Sequence, residues 1–312
     1  MDVVLLFPGQ GSQKPGMAKD LVDVVPAARD TFAAMDAALG EPLSQLCFDG
    51  PADALTLTHN AQPALLAHGA AVWAAVRARV ASHVRAAAGH SLGEFTAYHA
   101  AGAMDVGRAA RLVRRRGQLM LESGEQRPGT MAAILGDVDG GIEAVCARAS
   151  ADGGCVVAAN YNSPGQVVIS GEVAAVEKAM ELAKAAGAKR AMRLNVSGAF
   201  HSPLMAVARN GLEQALEQAG LQDPAFPVYA NVTAEPVRTA FDARRLLLDQ
   251  LTSPVAWTRV MERLAADFPN ALYVEMGPGT VLTGLAKKIA PGLQTMTCGT
   301  TAEVDQLLTR IA

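Results

Sequence analysis

Gly89-His90-Ser91-Leu92-Gly93 places a serine two residues from a glycine on either side. That spacing suits a sharp turn from a strand into a helix, where side chains at the glycine positions would keep neighbouring elements apart. The context agrees: Ala86–Ala88 reads as a short strand, and helical sequence begins at about Leu92. Such a turn lifts the serine Oγ clear of the fold and aims the next backbone N–H at a developing oxyanion. It also sets the positive end of a helix beneath the nucleophile. An ordinary glycine-flanked turn is the competing reading. His90, inside the motif, reads better as a packed neighbour than as a catalytic group.

The rest of the chain supplies what such a turn requires. Short apolar runs alternate with longer Ala/Leu-rich segments, the pattern of an α/β fold with a central parallel sheet. Val3–Phe7 is apolar throughout, like a parallel strand covered on both faces. Residues 16–38, 61–82 and 105–123 read as helices. Leu272–Glu275 reads as a strand, Gly277-Pro278-Gly279 as a turn and 280–290 as a helix. Half of the 312 residues are hydrophobic but only 4% are aromatic, so the core must rest on alanine and aliphatic packing.

Residues 126–196 follow a different pattern. Thr130–Leu135 reads as a strand, 138–150 as a helix and Cys155–Asn160 as a strand. Asn162-Ser163-Pro164-Gly165 then reads as a turn, Gln166–Ser170 as a strand, 172–187 as a helix and Arg190–Leu194 as a strand. This βαββαβ order is ferredoxin-like. The expected organisation is a large α/β catalytic subdomain from residues 1–125 and 197–312, with a small ferredoxin-like subdomain, 126–196, inserted in it.

Composition excludes several classes of function. Lys and Arg total 27 against 30 Asp and Glu, a net charge of −3. Such a balance offers no bulk attraction to nucleic acid or to an anionic membrane. The cluster Arg111, Arg114, Arg115 and Arg116 is too short to change that, and two or three of the four should be solvated. Cys47, Cys146, Cys155 and Cys298 are scattered without a CxxC pair, so neither a disulfide framework nor a metal site is expected. The apolar start is too short for a signal peptide and lacks a basic segment before it. Gln62, Pro63 and His68 interrupt the most apolar long stretch, Ala61 to Val76. A soluble cytoplasmic protein without a membrane span is expected.

A serine nucleophile needs a base. Of six histidines, His68, His83 and His99 lie in helical, Ala-rich sequence, where surface or core roles suffice. His201 stands instead in a loop between Gly198-Ala199-Phe200 and Ser202-Pro203, where the chain re-enters the large unit. Serine followed by histidine is the order of an α/β-hydrolase-like sheet. No aspartate stands out as a third member; a side chain or a backbone carbonyl could orient the imidazole. Gly9-Gln10-Gly11 follows the first strand but lacks both the third glycine of G-x-G-x-x-G and a GK[ST] ending. It reads as a turn that frees backbone N–H groups for an oxyanion, or as a plain strand-ending turn.

Eight segments in order carry a resemblance across nearly the whole chain. They are Phe7–Gln13, Asn60–Ala64, Gly89–Glu94, Arg116-Gly117, Ala159–Gln166, Ser197–Ser202, Asn231–Thr233 and Glu275–Gly279. The chain resembles the malonyl-CoA–acyl carrier protein transacylases. The resemblance implies a hydrolase-like large subdomain with a ferredoxin-like small one. It implies Ser91 as nucleophile, His201 as base, and the backbone amides of Gln10 and Leu92 as the oxyanion hole. It further implies that Arg116 holds the malonyl carboxylate, that Gln62 and Asn162 line the pocket, and that the main-chain carbonyl of Gln250 orients the histidine. Phe200 stands where related acyltransferase domains of polyketide synthases carry Phe for malonyl and Ser for methylmalonyl. Leu121 and Thr280 depart from the family's frequent Gln and Lys.

The activity so implied is transfer of malonyl from malonyl-CoA to the phosphopantetheine thiol of acyl carrier protein, through malonyl-Ser91, with no metal or redox cofactor and with a monomer as the usual form. A guanidinium suits the clamp because it grips a carboxylate with two parallel bonds and keeps its charge when desolvated. The carrier protein could serve fatty acid synthesis, a polyketide synthase loaded in trans, or a malonate decarboxylase. A serine thioesterase using the same dyad on water is the first rival; Arg116 argues against it. A non-catalytic docking module is the second; an intact Ser91, His201 and Arg116 argue against that.

Overall fold

The computed structural model describes residues 1–312. Its ten strands are β1 (Val3–Phe7), β2 (Val84–Gly89), β3 (Gly129–Leu135), β4 (Val156–Ser163), β5 (Gln166–Glu172), β6 (Arg190–Arg193), β7 (Val228–Tyr229), β8 (Pro236–Val237), β9 (Leu272–Met276) and β10 (Gln294–Cys298). They form two sheets. The larger has the order β10-β9-β1-β2-β7-β8 and is parallel except for its last pair. The smaller, β4-β5-β3-β6, is antiparallel throughout. With helices Ile142–Ala149 and Val173–Ala185 between its strands, it has the expected βαββαβ order.

The apolar runs became strands because both faces of the large sheet are covered. Every residue of β1 and β9 is buried, including Glu275. That carboxylate lies at the start of the helix Val281–Ile289 and accepts the N–H groups of Leu282 and Thr283 at 2.9 and 2.8 Å. An otherwise costly buried charge thereby satisfies two orphan amides of a helix terminus. The helix Thr58–Val80 runs through the interior. Ala61, Ala64, Ala67, Ala70 and Ala71 along it are buried, so neighbouring elements can approach closely without aromatic filling.

Several expected boundaries shift for local reasons. The helix expected over residues 16–38 is two helices, Lys19–Val24 and Pro26–Leu39, because Val25 is extended and Pro26 has no N–H to continue the ladder. The helix expected over 61–82 starts earlier, at Thr58, and ends at Val80. The turn expected at 162–165 is shorter, because β4 continues to Ser163 and leaves Pro164-Gly165 as the corner. The helix Val106–Gln126 runs one residue past the expected subdomain edge.

The small sheet meets the large unit through main-chain pairing of β4 with the segment before the helix Trp257–Asp267. Tyr161 N–H donates to the Val255 carbonyl at 2.9 Å, and Val255 N–H donates to Ala159 at 2.8 Å. Met131, Ala133, Ala159 and Val168 of the small sheet pack into the same core as Met120 and Phe200 of the large body. The crevice between the sheets opens at the carboxyl ends of β1 and β2, where open α/β sheets bind ligands.

The turn after β2 shows why its glycines are needed. A Cβ on Gly89 would lie 1.9 Å from the Gly93 carbonyl carbon, and one on Gly93 would lie 2.0 Å from the Phe7 carbonyl oxygen. Both obstacles are backbone. Gly93→Ala should therefore lower stability by at least about 2 kcal/mol in urea denaturation, the scale of a buried clash with no room to relax. Gly284→Ala, in a helix where a Cβ meets nothing within 4 Å, should be neutral or stabilising by up to about 1 kcal/mol. Equal effects at the two positions would refute this account of the turn.

Candidate active site

Ser91 sits at the corner between β2 and the helix Leu92–Ala100 with φ 51° and ψ −106°, a conformation that non-glycine residues rarely adopt. The strain is held from both sides. Asn231 accepts the Ser91 N–H at 2.7 Å and donates to the Gly89 carbonyl at 2.7 Å. Gln250 donates from Nε2 to the Ser91 carbonyl at 3.0 Å. Side chains from two distant parts of the chain thus hold the peptide groups on either side of Ser91.

His201 enters from the loop before the short 3₁₀ turn Pro203–Ala208, also with positive φ, 57°. Its Nε2 lies 2.7 Å from Ser91 Oγ, and its Nδ1 lies 2.9 Å from the main-chain carbonyl of Gln250. A carbonyl only accepts, so Nδ1 carries the proton and Nε2 presents a lone pair to the serine hydroxyl. Burial, reinforced by the positive Arg116, pushes the His201 pKa down to about 3. The imidazole is therefore neutral throughout the physiological range.

Arg116 comes from the helix Val106–Gln126 and is 1% exposed. Nη1 donates to Gln62 Oε1 at 2.7 Å, while Nη2 donates to Gln250 Oε1 at 2.9 Å and to Ser91 Oγ at 3.2 Å. The guanidinium lies over the Phe95 ring, 5.1 Å from its centre. None of these partners is an anion, and Nε has no partner at all. Burial lowers the Arg116 pKa to about 10, with the nearby Glu94 opposing the shift, so the group stays charged at neutral pH. Of the other arginines in the cluster, Arg114 is also buried, held by the His59 carbonyl, Asn60 and Glu41. Arg111 and Arg115 are the two that face solvent.

A cavity of about 360 Å³ lies above these groups. The large unit contributes Gln10, Gln62, Ser91, Leu92, Arg116, Phe200 and His201 to its lining, and the small one Met131, Asn160, Asn162 and Val168. Neither the Gln10 nor the Leu92 amide N–H donates to any group of the chain. Both residues line the cavity together with Ser91, and free backbone donors there would suit a developing oxyanion. His90, expected as a packed neighbour, donates from Nε2 to Asn162 Oδ1 at 2.8 Å and packs beside Trp257, so it sets one wall of the cavity. Asn162 lines the pocket and also joins the two units.

All nine residues singled out from the sequence thus lie in or against this cavity. Three others that organise it, Thr58, Glu94 and Asn231, had no role in the sequence reading. Thr58 accepts from Gln62 at 3.1 Å and donates to Gln10 Oε1 at 3.0 Å, linking the arginine's partner to the first glycine turn. Glu94 and Asn231 lie inside recognised segments, and a polar residue forced into apolar surroundings was their only signal. No three His, Cys, Asp or Glu residues are grouped to hold a metal ion, and no helix is long and apolar enough to cross a membrane.

The state of the base is directly measurable. With its folded pKa depressed far below 6.5, His201 should remain the neutral Nδ1–H tautomer at pH 5, and its ring ¹⁵N shifts should show this. Imidazolium shifts at pH 5 would contradict the burial and the carbonyl contact together.

Comparison with known proteins identifies the family. Residues 4–298 match the acyl transferase domain family. The chain is 44% identical over 294 residues to the malonyl CoA-acyl carrier protein transacylase of Bacillus subtilis, covering 94% of this chain and 92% of the relative. It is 43% identical over 288 residues to the Escherichia coli K12 protein of the same name, covering 92% and 93%. The crystal structure of acyl-carrier-protein-S-malonyltransferase from Bartonella henselae superposes with a TM-score of 0.94 at 41% identity, covering 100% of this chain and 99% of the other. A malonyl-transacylase in complex with a type II polyketide synthase acyl carrier protein gives 0.94 at 40% identity, covering 99% and 100%. With the family model matched over most of its length and relatives sharing 41 to 44% of their residues with it, this chain belongs to the acyl transferase domain family, alongside the malonyl CoA-acyl carrier protein transacylases.

Proposed function

We propose that the protein transfers malonyl from malonyl-CoA to the phosphopantetheine thiol of an acyl carrier protein. The observation that carries this reading is Arg116: a buried cation with only neutral direct partners, 3.2 Å from the nucleophilic oxygen. A thioesterase acting on simple acyl groups has no use for such a group. A carboxylate entering the cavity would give Arg116 its first anionic partner, in a charge-assisted and geometrically demanding pair.

Ser91 Oγ attacks the thioester carbonyl while His201 Nε2 takes its proton. The oxyanion rests on the Gln10 and Leu92 amides, and the Gln250 carbonyl stabilises the imidazolium through Nδ1–H. The carbon–sulfur bond breaks, His201 returns the proton to the departing CoA sulfur, and malonyl-Ser91 remains with its carboxylate on Arg116. The carrier-protein thiol then repeats the sequence in reverse. Every step is acyl or proton transfer, so neither a metal nor a redox cofactor is required. Phe200 fills the space beside the acyl group that a branch methyl would need. One structural relative is seen with a type II polyketide synthase carrier protein, and the same chemistry would serve a carrier protein of fatty acid synthesis, of a polyketide synthase loaded in trans or of a malonate decarboxylase. All groups in the scheme come from one chain, so a monomer suffices. The four free cysteines suit the reducing cytoplasm.

Intact-mass spectrometry after brief incubation with malonyl-CoA should show a malonyl adduct on the wild type. The adduct should be absent from Ser91→Ala and discharged by holo-acyl carrier protein; an adduct on Ser91→Ala would refute the scheme. Arg116→Ala should lower kcat/KM for malonyl-CoA by about 10²- to 10³-fold, since it removes a buried charged pair. Acetyl-CoA should lose little, and equal losses on both substrates would remove Arg116 from carboxylate recognition. Phe200→Ala should raise kcat/KM for methylmalonyl-CoA relative to malonyl-CoA by roughly tenfold, the worth of one accommodated methyl group.

A further inference from the structure

Glu94 lies in the first turn of the helix that follows Ser91 and is fully buried. One of its oxygens, Oε2, accepts two hydrogen bonds, from the Asn231 backbone N–H at 3.1 Å and from Gln250 Nε2 at 2.7 Å. These two residues are the ones that grip Ser91. Asn231 takes the serine's N–H, and Gln250 takes its carbonyl. Gln250 also offers its main-chain carbonyl to His201 and its side-chain oxygen to Arg116. The scheme proposed above gives Glu94 no role, yet nucleophile, base and carboxylate clamp all hang from its two partners.

We propose that Glu94 is a positioning residue for acyl transfer, fixing through Asn231 and Gln250 the strained peptide of Ser91 and the orientation of the Gln250 amide. The proposal rests on the acyl-Ser91 reading. The amide orientation follows from donor and acceptor chemistry. With Nε2 spent on Glu94 and on the Ser91 carbonyl, the only end of Gln250 left to face Arg116 is its oxygen. A flipped amide would turn two N–H donors on a guanidinium, and the clamp would lose one of its two amide supports.

The role belongs to the acceptor oxygen rather than to the charge. Glu94 Oε1 is buried without a partner, and burial raises the carboxyl's pKa to about 7 against the opposing pull of its two donors and Arg116. Oε2 accepts equally well with a proton on Oε1. An amide of the same shape can therefore replace the carboxyl, whereas a side chain that ends short of the two donors cannot.

The test is rapid-quench acylation at saturating malonyl-CoA, read by intact mass, which separates the rate constant from the amplitude. Loss of a merely structural residue lowers the fraction of competent enzyme, hence the amplitude. Loss of positioning lowers the rate constant, by about 10²-fold for a displacement near 1 Å. Glu94→Ala should show the lowered rate constant and Glu94→Gln should restore it to within about fivefold of wild type. If Glu94→Ala does not fold, Glu94→Asp, one methylene too short to reach both donors, should be slowed at least about tenfold. A wild-type rate constant in Glu94→Ala or Glu94→Asp would overturn the proposal, whatever the amplitude. So would a Glu94→Gln protein as slow as Glu94→Ala. Absence of any Ser91 adduct on the wild type would instead overturn the acyl-enzyme reading beneath it.

Discussion

Arg116 is a buried cation whose contacts are two amide oxygens, a serine hydroxyl and an aromatic face. Burying such a charge is expensive, and the cost is met only partly within the chain. Much of the interior is arranged around it. Gln62 and Gln250 each hold one end of the guanidinium with an oxygen, and each has its amide nitrogen tied elsewhere, to Thr58 and to Glu94. The nearest carboxyl group, Glu94, stands one amide away, close enough to ease the burial but not to touch Arg116. On the proposed reading an incoming carboxylate would complete a pair for which the site is already organised, and this preorganisation would favour a malonyl group.

The same residues tie recognition to chemistry. Gln250 touches Arg116 with its side-chain oxygen, the serine carbonyl with its nitrogen and His201 with its main-chain carbonyl. A shift of this one residue would disturb clamp, nucleophile and base together. The main-chain carbonyl serves where a buried carboxylate often stands beside a catalytic histidine. A neutral partner also leaves His201 easy to keep uncharged, and the positive Arg116 presses in the same direction. The two units divide the work. Ser91, His201 and Arg116 come from the large unit, on the turn after β2, a loop and the helix Val106–Gln126, while the small sheet supplies a wall through Met131, Asn160, Asn162 and Val168.

Most of the architecture was legible along the chain because the signals are local. The apolar runs of β1 and β9, the β2–helix turn at Ser91 and the βαββαβ order of the insert all follow from short-range pattern. β10, β7 and β8 were not anticipated. β7 and β8 have two residues each, and β10 is only half-buried with polar threonines, so none carries a periodic signal. The break at Val25–Pro26 was readable from the proline but was overridden by the helical composition on both sides.

The sequence by itself determined the nucleophile turn, the class of fold and, through its resemblance to known transacylases, the residues around the serine. Those features depend on spacing within a few residues or on segments quoted in order. What only the tertiary structure decided is how buried polar groups pair. Glu94 is separated from Asn231 by 137 residues and from Gln250 by 156, and Gln250 from Ser91 by 159, and whether a buried carboxyl is a lone liability or the anchor of a site depends on which donors folding brings to it. Hydrogen bonds are short-ranged and directional, so that pairing exists only once the two sheets and the helix beneath the nucleophile have closed on one another.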